Sequence, residues 1–246
     1  AWLAQFEQAD CAIAITISSQ LSGSMNSALA ARDMALEKDP DKKILILDSL
    51  STGPEVLLCV KEIERLIRHG LSFDDIAAHA RGFLQKTKIL FALSSFDNLI
   101  KNGRIHRLTG MLAKALGIWG IGSGSDEGKI AFESKARGAK KVVQTLVSTM
   151  KEHGFIGGNV AISHCDNLAL AQTLKNSILG KYKHRDSADP RALQLLRRAR
   201  RIDRQLLSRS RSTVSVFNKQ RAKPHGFALF LRKYRRSPLC KCSEAN

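Results

Sequence analysis

Short apolar runs alternate along this chain with longer segments of helical pattern, and this alternation limits the possible folds more than any other feature. The apolar, β-favouring runs lie at 11–17 (CAIAITI), 43–48 (KILILD), 88–93 (KILFAL) and 158–163. Helical patterns lie between and after them, at 24–37, 54–69, 73–87, 106–116, 136–153 and 166–180. The sequence therefore predicts an α/β fold. Two further runs, 117–122 and 128–133, predict a hairpin, so the sheets are expected to be mixed.

Most of the excess positive charge of the chain lies in its last quarter. The formal net charge of the 246 residues is +18. Residues 1–180 carry 21 Lys and Arg against 18 Asp and Glu, whereas 181–246 carry 19 against 4. A basic segment of this kind commonly binds nucleic acid, and binding through this tail is one alternative function. The nearly neutral body gives no electrostatic reason to expect a nucleic-acid partner.

Five cysteines are present, Cys11, Cys59, Cys165, Cys240 and Cys242. An odd number without framework spacing argues against a secreted disulfide scaffold, and one Cys-x-Cys pair without a second pair argues against zinc. We therefore expect reduced thiols, a cytoplasmic location and no bound metal. No apolar run reaches the length of a membrane span, so we expect no stable membrane insertion.

The segment with the clearest chemical potential is the serine-rich turn Ser18–Ser24, which joins the first predicted strand to a helix. N–H groups at a helix start have no partner within the helix and attract anions, and the helix dipole adds to this. Ser22 and Ser24 add hydroxyl donors, Ser19 lies beside them, and Gly23 lets a ligand approach the backbone. The alternative is that Ser22 or Ser24 only caps the helix.

Arg104 and the adjacent pair His164 and Cys165 are two other candidate functional positions. Gly103 is expected to end a short helical turn at 97–103, which gives Arg104 a special backbone setting for pairing with a carboxylate; a plain surface arginine is the alternative. His164 and Cys165 are adjacent in sequence, and adjacent side chains rarely face each other as a nucleophilic pair requires. No catalytic residue is therefore assigned.

Four motifs in order resemble those of DegV proteins: ITISS-x-LSGS at 15–24, ILDSLSTG at 46–53, FDNLIKNGRI at 96–105 and SKARGAKK at 134–141. The resemblance covers roughly residues 1–182. It implies a DegV-like two-domain α/β fold with mixed sheets and a ligand between the domains. It also implies a carrier that is not an enzyme, has no cofactor, and presents a long-chain fatty acid such as palmitate to a fatty-acid kinase subunit.

The resemblance also assigns roles to particular residues. The serine of the SS-x-LSG motif binds the fatty carboxylate and corresponds to Ser22, with Ser19, Gly23 and Ser24 around it. The arginine of the family's GGRI motif corresponds to Arg104, although Asn102 replaces the first glycine here. A threonine that also binds the carboxylate belongs to a motif that would precede Ala1, so we expect the N-terminal part of the family to be missing.

Residues 183–246 have no counterpart in the resemblance. Codons can be chosen for residues 189–207 that, read one nucleotide later, encode a plausible closing segment followed by a stop. We therefore expect a shift of reading frame between about 181 and 189, a disordered basic tail at 183–246 and no closing strand, with a helix at 191–207 as the one regular element. A binder or enzyme for a small anionic metabolite, using the same serine turn, remains the other alternative function.

Overall fold

The computed structural model describes residues 1–105 and 117–182, together with the backbone of two strands at Leu193–Arg197 and Thr213–Val216. The helix expected at 106–116 lies outside these residues, as does most of the basic tail. The chain divides into two compact units. The first comprises, among the described residues, Ala1–Thr87 and Asp126–Lys129.

The first unit is built on two parallel strands. They are β1 (Cys11–Thr16) and β2 (Lys43–Asp48), which pair from Cys11 with Lys43 to Thr16 with Asp48. Both strands were expected from their apolar runs. Among its described residues this unit has four helices: α1 (Trp2–Phe6), α2 (Ser24–Lys38), α3 (Pro54–Arg68) and α4 (Phe73–Lys86).

The alternation of side chains along β1 explains how the helices cover both faces of this sheet. Ala12 and Ala14 are buried in one cluster with alanines of α2, where small side chains allow close packing. Ile13 and Ile15 are buried in a second cluster with Leu45, Leu47 and the apolar faces of α3 and α4. Because both faces are covered, β1 is apolar throughout, as is typical of parallel strands.

The second unit contains a six-stranded sheet. Its strands are β3 (Leu90–Leu93), β4 (Ile118–Gly124), β5 (Ile130–Arg137), β6 (Val160–Cys165), β7 (Leu193–Arg197) and β8 (Thr213–Val216). Their order across the sheet is β5-β4-β3-β8-β6-β7. Only β6 and β7 pair in parallel, and the other neighbours are antiparallel, so the predicted mixed sheet is confirmed.

The helices described in the second unit are α5 (Asp97–Lys101), α6 (Gly138–Glu152) and α7 (Leu168–Tyr182). The main core of the unit joins α6 and α7 to one face of the sheet, with Leu90, Ile121 and Ile162 among its buried members. A separate, smaller cluster contains Phe91 and Leu93, the neighbours that point to the other face. One face of this sheet therefore packs against α6 and α7, whereas the other face carries the smaller cluster of Phe91 and Leu93.

The two strands within residues 183–246 correct part of the sequence-based prediction. A helix was expected at 191–207, but Leu193–Arg197 forms a strand paired in parallel with β6. A missing closing strand was expected, but β8 lies between β3 and β6 and is hydrogen-bonded to both. Local pattern did not reveal this, because pairing with the unpaired edge of a neighbouring strand is a tertiary effect that outweighs propensity. The rest of 183–246 lies outside the described residues.

Candidate functional site

The serine-rich turn between β1 and α2 is organised around Ser18, whose side chain is fully buried. Its N–H donates to the carbonyl of Ser51 at 2.6 Å, and its own carbonyl accepts from the N–H groups of Leu21 and Ser22. Its Oγ donates to the carbonyl of Gly128 at 2.7 Å and accepts the N–H of Gln20 at 3.2 Å. Ser18 therefore fixes the conformation of the turn.

Ser22, Gly23 and Ser24 lie together at the start of α2. Gly23 is the N-cap residue and makes no side-chain cap, so neither serine occupies that position. Ser22 Oγ accepts the N–H of Ser24 at 3.2 Å, which leaves the hydroxyl proton of Ser22 to donate elsewhere. Ser24 Oγ is buried and has no hydrogen-bond partner among the described residues. Two hydroxyls at one helix start can thus donate to an anion.

The backbone of α2 adds further donors at the same place. The N–H groups of Met25 and Asn26 have no acceptor within the helix, since such bonds reach back four residues. The N–H of Ser27, by contrast, donates to the carbonyl of Gly23 at 3.1 Å. The first turn of α2 carries no acidic residue that would compete for these donors. The helix start can therefore stabilise a carboxylate or a phosphate.

Asp48, at the end of β2, holds the neighbouring loop against the serine turn. Its carboxylate accepts the N–H of Ser19 at 3.2 Å and the N–H of Leu50 at 2.9 Å. The backbone donor of Ser19 is thus engaged, and only its exposed hydroxyl faces solvent. Leu50 has a φ of 51°, an uncommon conformation for a side chain of this size, and is 41% exposed.

Gly128 packs against the serine turn and belongs to a third segment, Asp126–Lys129, of the first unit. Its φ is 82°. A Cβ atom built on Gly128 would lie 2.4 Å from Ser18 Oγ and 3.0 Å from the backbone of Leu50. Only glycine fits between these two loops. Ser18 belongs to the predicted turn, but its organising role and the contributions of Asp48 and Gly128 were not predicted from the sequence, although Ser18 and Asp48 both stand at the ends of apolar runs.

Arg104 lies in the second unit, whereas Ser19, Ser22, Gly23 and Ser24 lie in the first. Gly103 has a φ of 64°, and the N–H groups of Gly103 and Arg104 donate to the carbonyls of Ile100 and Leu99. This is the Schellman arrangement, which confirms the special backbone setting predicted for Arg104. The side chain is exposed, and its guanidinium donates to the carbonyl of Asn102 at 3.2 Å.

His164 and Cys165 do not form a nucleophilic pair. Both belong to β6, so their side chains point to opposite faces of the sheet. The next helix begins after Asn167, whose side chain accepts the N–H of Leu170, so Asn167 and not Asp166 caps α7.

A polar cluster in the second unit joins Ser123, Glu133 and His153. The carboxylate of Glu133 accepts from the hydroxyl of Ser123 and lies 3.3 Å from Nε2 of His153. Glu133 is the extra residue of a β-bulge between β4 and β5. Because the carboxylate lies between the serine and the histidine, the histidine cannot take the serine proton, and the cluster lacks the order of a hydrolytic triad.

The described cysteines differ from the expectation of reduced thiols. Cys59 and Cys165 are not part of a disulfide, but Cys11 is disulfide-bonded. Spacing could not indicate this, because disulfides depend on the distance between Cα atoms in the folded chain. Cys240 and Cys242 lie outside the described residues.

Within residues 1–105 and 117–182, no three His, Cys, Asp or Glu side chains cluster closely enough to hold a metal ion. In the same part of the chain, none of the helices has the length and apolar character needed to cross a bilayer.

Comparison with known proteins connects this geometry to a family. The sequence profile of the family described as "Uncharacterised protein, DegV family" matches residues 2–192. A DegV domain-containing protein of Streptococcus pyogenes serotype M1 is 40% identical over 182 residues, which cover 74% of this chain and 65% of that protein. The chain thus spans slightly less than two thirds of the length of this curated relative.

Two crystal structures of related proteins contain fatty acids. A DegV family protein from Eubacterium eligens, loaded with heptadecanoic acid, superposes with a TM-score of 0.78 at 30% identity, covering 89% of this chain and 76% of that protein. The Fatty Acid Kinase (Fak) B3 protein of Streptococcus pneumoniae, loaded with linoleic acid, superposes with a TM-score of 0.77 at 34% identity, covering 88% and 74%. Profile, identity and fold agree, and the chain belongs to the DegV family.

Proposed function

We propose that this protein binds a long-chain fatty acid such as palmitate and presents it to a fatty-acid kinase subunit, without itself being an enzyme or carrying a cofactor. The observation that carries the proposal is the serine turn, with its donors at the start of α2, in a chain at least 30% identical to two proteins crystallised with fatty acids. An anion turn alone would accept phosphate equally well. The family relationship favours the carboxylate of a fatty acid.

In this proposal the carboxylate is held at the start of α2. Ser22 donates its hydroxyl proton, because its Oγ already accepts the N–H of Ser24. Ser24 Oγ is buried and has no partner among the described residues, so a ligand oxygen would satisfy it. Gly23 exposes the backbone, and Ser19 contributes its hydroxyl at the edge of the turn. Charge-assisted hydrogen bonds of this kind are stronger than neutral ones.

The binding test compares Ser22→Ala with a matched variant of the same helix start. Ser27 is the control, because its exposed Oγ donates to the carbonyl of Gly23 and not towards a ligand. Losing a hydrogen bond to a charged group costs about 1.5–3 kcal/mol, so Ser22→Ala should bind palmitate about 10- to 100-fold more weakly. Ser27→Ala should bind like the parent protein.

The measurement is native mass spectrometry of the full chain, followed by titration with palmitate. Co-purified fatty acid that is lost in Ser22→Ala and kept in Ser27→Ala would support the proposal. A protein that carries phosphate and takes up no fatty acid would contradict it and favour the small-metabolite alternative. Salt-sensitive binding of DNA or RNA by a protein that takes up no fatty acid would instead favour the nucleic-acid alternative.

Arg104 is proposed to act in presentation to the kinase subunit. The Schellman turn holds its backbone while the guanidinium remains exposed, which suits contact with a partner or with an anion. We expect Arg104→Ala to slow ADP formation by a bacterial fatty-acid kinase supplied with ATP, magnesium and the palmitate-loaded protein. Arg81→Ala, which changes an exposed arginine of α4, serves as the control. Equal rates for the two variants would exclude this role for Arg104.

A further inference from the structure

The loop 49–53, which joins β2 to α3, holds a buried serine hydroxyl that the fold leaves without a partner. Ser51 is 3% exposed, and its Oγ makes no hydrogen bond within the described residues. Such a hydroxyl is uncommon in folded proteins, because it gives up its hydrogen bonds to water and gains none in exchange. A ligand oxygen is one group that can supply the missing bond.

The backbone of Ser51 is held directly beside the serine turn. Its carbonyl accepts the N–H of Ser18 at 2.6 Å and the hydroxyl of Ser49 at 3.1 Å. Its own N–H donates to Ser49 Oγ at 3.3 Å. Both polar groups of the Ser51 backbone are therefore engaged within the first unit, and the hydroxyl is the polar group of this residue that remains to be satisfied.

Ser18 connects Ser51 to the donors at the start of α2. The N–H of Ser18 binds Ser51, and its carbonyl accepts the N–H of Ser22 at 3.1 Å. The strands that lead into the two loops, β1 and β2, are parallel neighbours, so both loops lie at the same edge of the sheet. Ser24 Oγ, in the first turn of α2, is also buried without a partner among the described residues. Two unsatisfied hydroxyls therefore stand on two loops that Ser18 joins.

The acidic residues on either side of the loop do not satisfy Ser51. Asp48 accepts the N–H groups of Ser19 and Leu50, and Glu55 is buried in the first turn of α3. Neither carboxylate accepts a hydrogen bond from Ser51 Oγ. A hydroxyl has one proton to donate, and an anionic oxygen is the acceptor that binds it most strongly. The missing partner therefore matches the anion for which the start of α2 provides donors.

We propose that Ser51 donates its buried hydroxyl to the anionic head group held at the start of α2, so that the head group is bound from both loops. This inference rests on the proposed fatty-acid binding and adds to it a residue outside the serine turn. In the ligand-free protein the hydroxyl is unsatisfied and opposes folding, whereas in the complex it is satisfied. Ser51 therefore favours the complex over the free protein.

The test compares Ser51→Ala with the parent in two measurements on the full chain freed of lipid. The first is the Kd for palmitate, which should rise about 10- to 100-fold on loss of a hydrogen bond to a charged group. The second is the midpoint of urea unfolding without ligand. This midpoint should rise, because the change removes an unsatisfied buried hydroxyl and leaves the backbone bonds of the loop in place. A hydroxyl with a structural role would give the opposite sign in the second measurement.

Methyl palmitate and a second serine variant supply the controls. The ester has the same acyl chain without the negative charge, so Ser51→Ala should weaken its binding much less than that of palmitate. Ser134→Ala is the matched variant, because Ser134 Oγ is likewise buried without a partner among the described residues but belongs to β5 of the second unit, where it pairs with Ile121. This variant should keep the parent affinity for palmitate. If the ester binds too weakly to measure, affinity for palmitate and the unfolding midpoint decide.

Weaker palmitate binding with an unchanged or higher unfolding midpoint, in Ser51→Ala and not in Ser134→Ala, supports the inference. Unchanged affinity in Ser51→Ala, an equal loss in Ser134→Ala, or equal weakening for acid and ester overturns it. A joint fall of affinity and midpoint also overturns it, since that is the behaviour expected of Ser49→Ala, which breaks bonds that hold the loop. In each of these cases fatty-acid binding stands. A parent protein that takes up no palmitate overturns the proposed function itself.

Discussion

Gly128 offers the sharpest test of how the candidate site is held together, and Gly128→Ala is the perturbation. The residue has a φ of 82°, and left-handed backbone costs a residue with a side chain about 1–2 kcal/mol. The added methyl group would also lie 2.4 Å from Ser18 Oγ, a separation that no real Cβ tolerates. Ser18 must then give up its hydrogen bond to the Gly128 carbonyl.

The size of the effect follows from adding these two contributions. A buried hydroxyl left without its partner costs about 1–3 kcal/mol. Relief by movement of the second neighbour is restricted, because Leu50 is 3.0 Å from the new methyl group and its N–H is bound to Asp48. We therefore expect Gly128→Ala to lower the free energy of unfolding of the first unit by about 2–5 kcal/mol.

Gly70→Ala separates the two contributions. Gly70 has a φ of 76°, close to that of Gly128, but nothing lies within 4 Å of a Cβ atom built on it. Its cost should be the backbone contribution alone, about 1–2 kcal/mol. The difference between the two variants then measures the collision with Ser18 and Leu50.

The assay is urea unfolding followed by tryptophan fluorescence in a Trp119→Phe background, so that Trp2 reports on the first unit. Adding Ser18→Ala to Gly128→Ala removes the colliding oxygen, and the double variant should be less destabilised than the sum of the single changes. Equal destabilisation by Gly128→Ala and Gly70→Ala, with additive effects in the double variant, would refute the reasoning that Gly128 holds the serine turn through Ser18.

Three further predictions concern single groups. Burial raises the pKa of Tyr182 above its usual value of 10.0, so the folded protein holds this proton more tightly than the unfolded chain. The parent should therefore lose more stability than Tyr182→Phe as pH rises beyond 10.0, and circular dichroism of both proteins against pH measures the difference. The hydrogen bond from Arg65 lowers the pKa of Glu62. The contribution of this pair to the stability of the fold, under about 1 kcal/mol, is therefore present at neutral pH and lost as pH falls below 4.5. Glu62→Gln should flatten that part of the acid unfolding curve. Ser72 caps α4 by accepting an N–H at its start, and Ser72→Ala should cost about 1 kcal/mol in urea unfolding, whereas no change would exclude a capping role.

Local sequence pattern was sufficient to predict the features that depend on residues near one another in sequence. The strand at 43–48 was predicted with the bounds observed for β2, because the apolar, partly β-branched run Ile44–Leu47 between two charged residues is typical of a buried strand. The cap at Ser72 and the left-handed Gly103 before Arg104 were likewise predictable, since each rests on hydrogen bonds spanning no more than five residues. The serine turn was located for the same reason.

Features that join distant segments were decided only by the tertiary structure. Ser18 and Gly128 are separated by 110 residues, and nothing in either segment indicates that a hydroxyl of one meets a carbonyl of the other. The strand at Leu193–Arg197 has helical as well as strand character when viewed alone, and pairing with β6 decides between them. The sequence by itself determined most of the helices and strands and the residue types at the start of α2. The long-range hydrogen bonds and the strand pairing determined which of these elements meet. Loop closure depends on the whole chain, so local sequence pattern does not reveal these contacts.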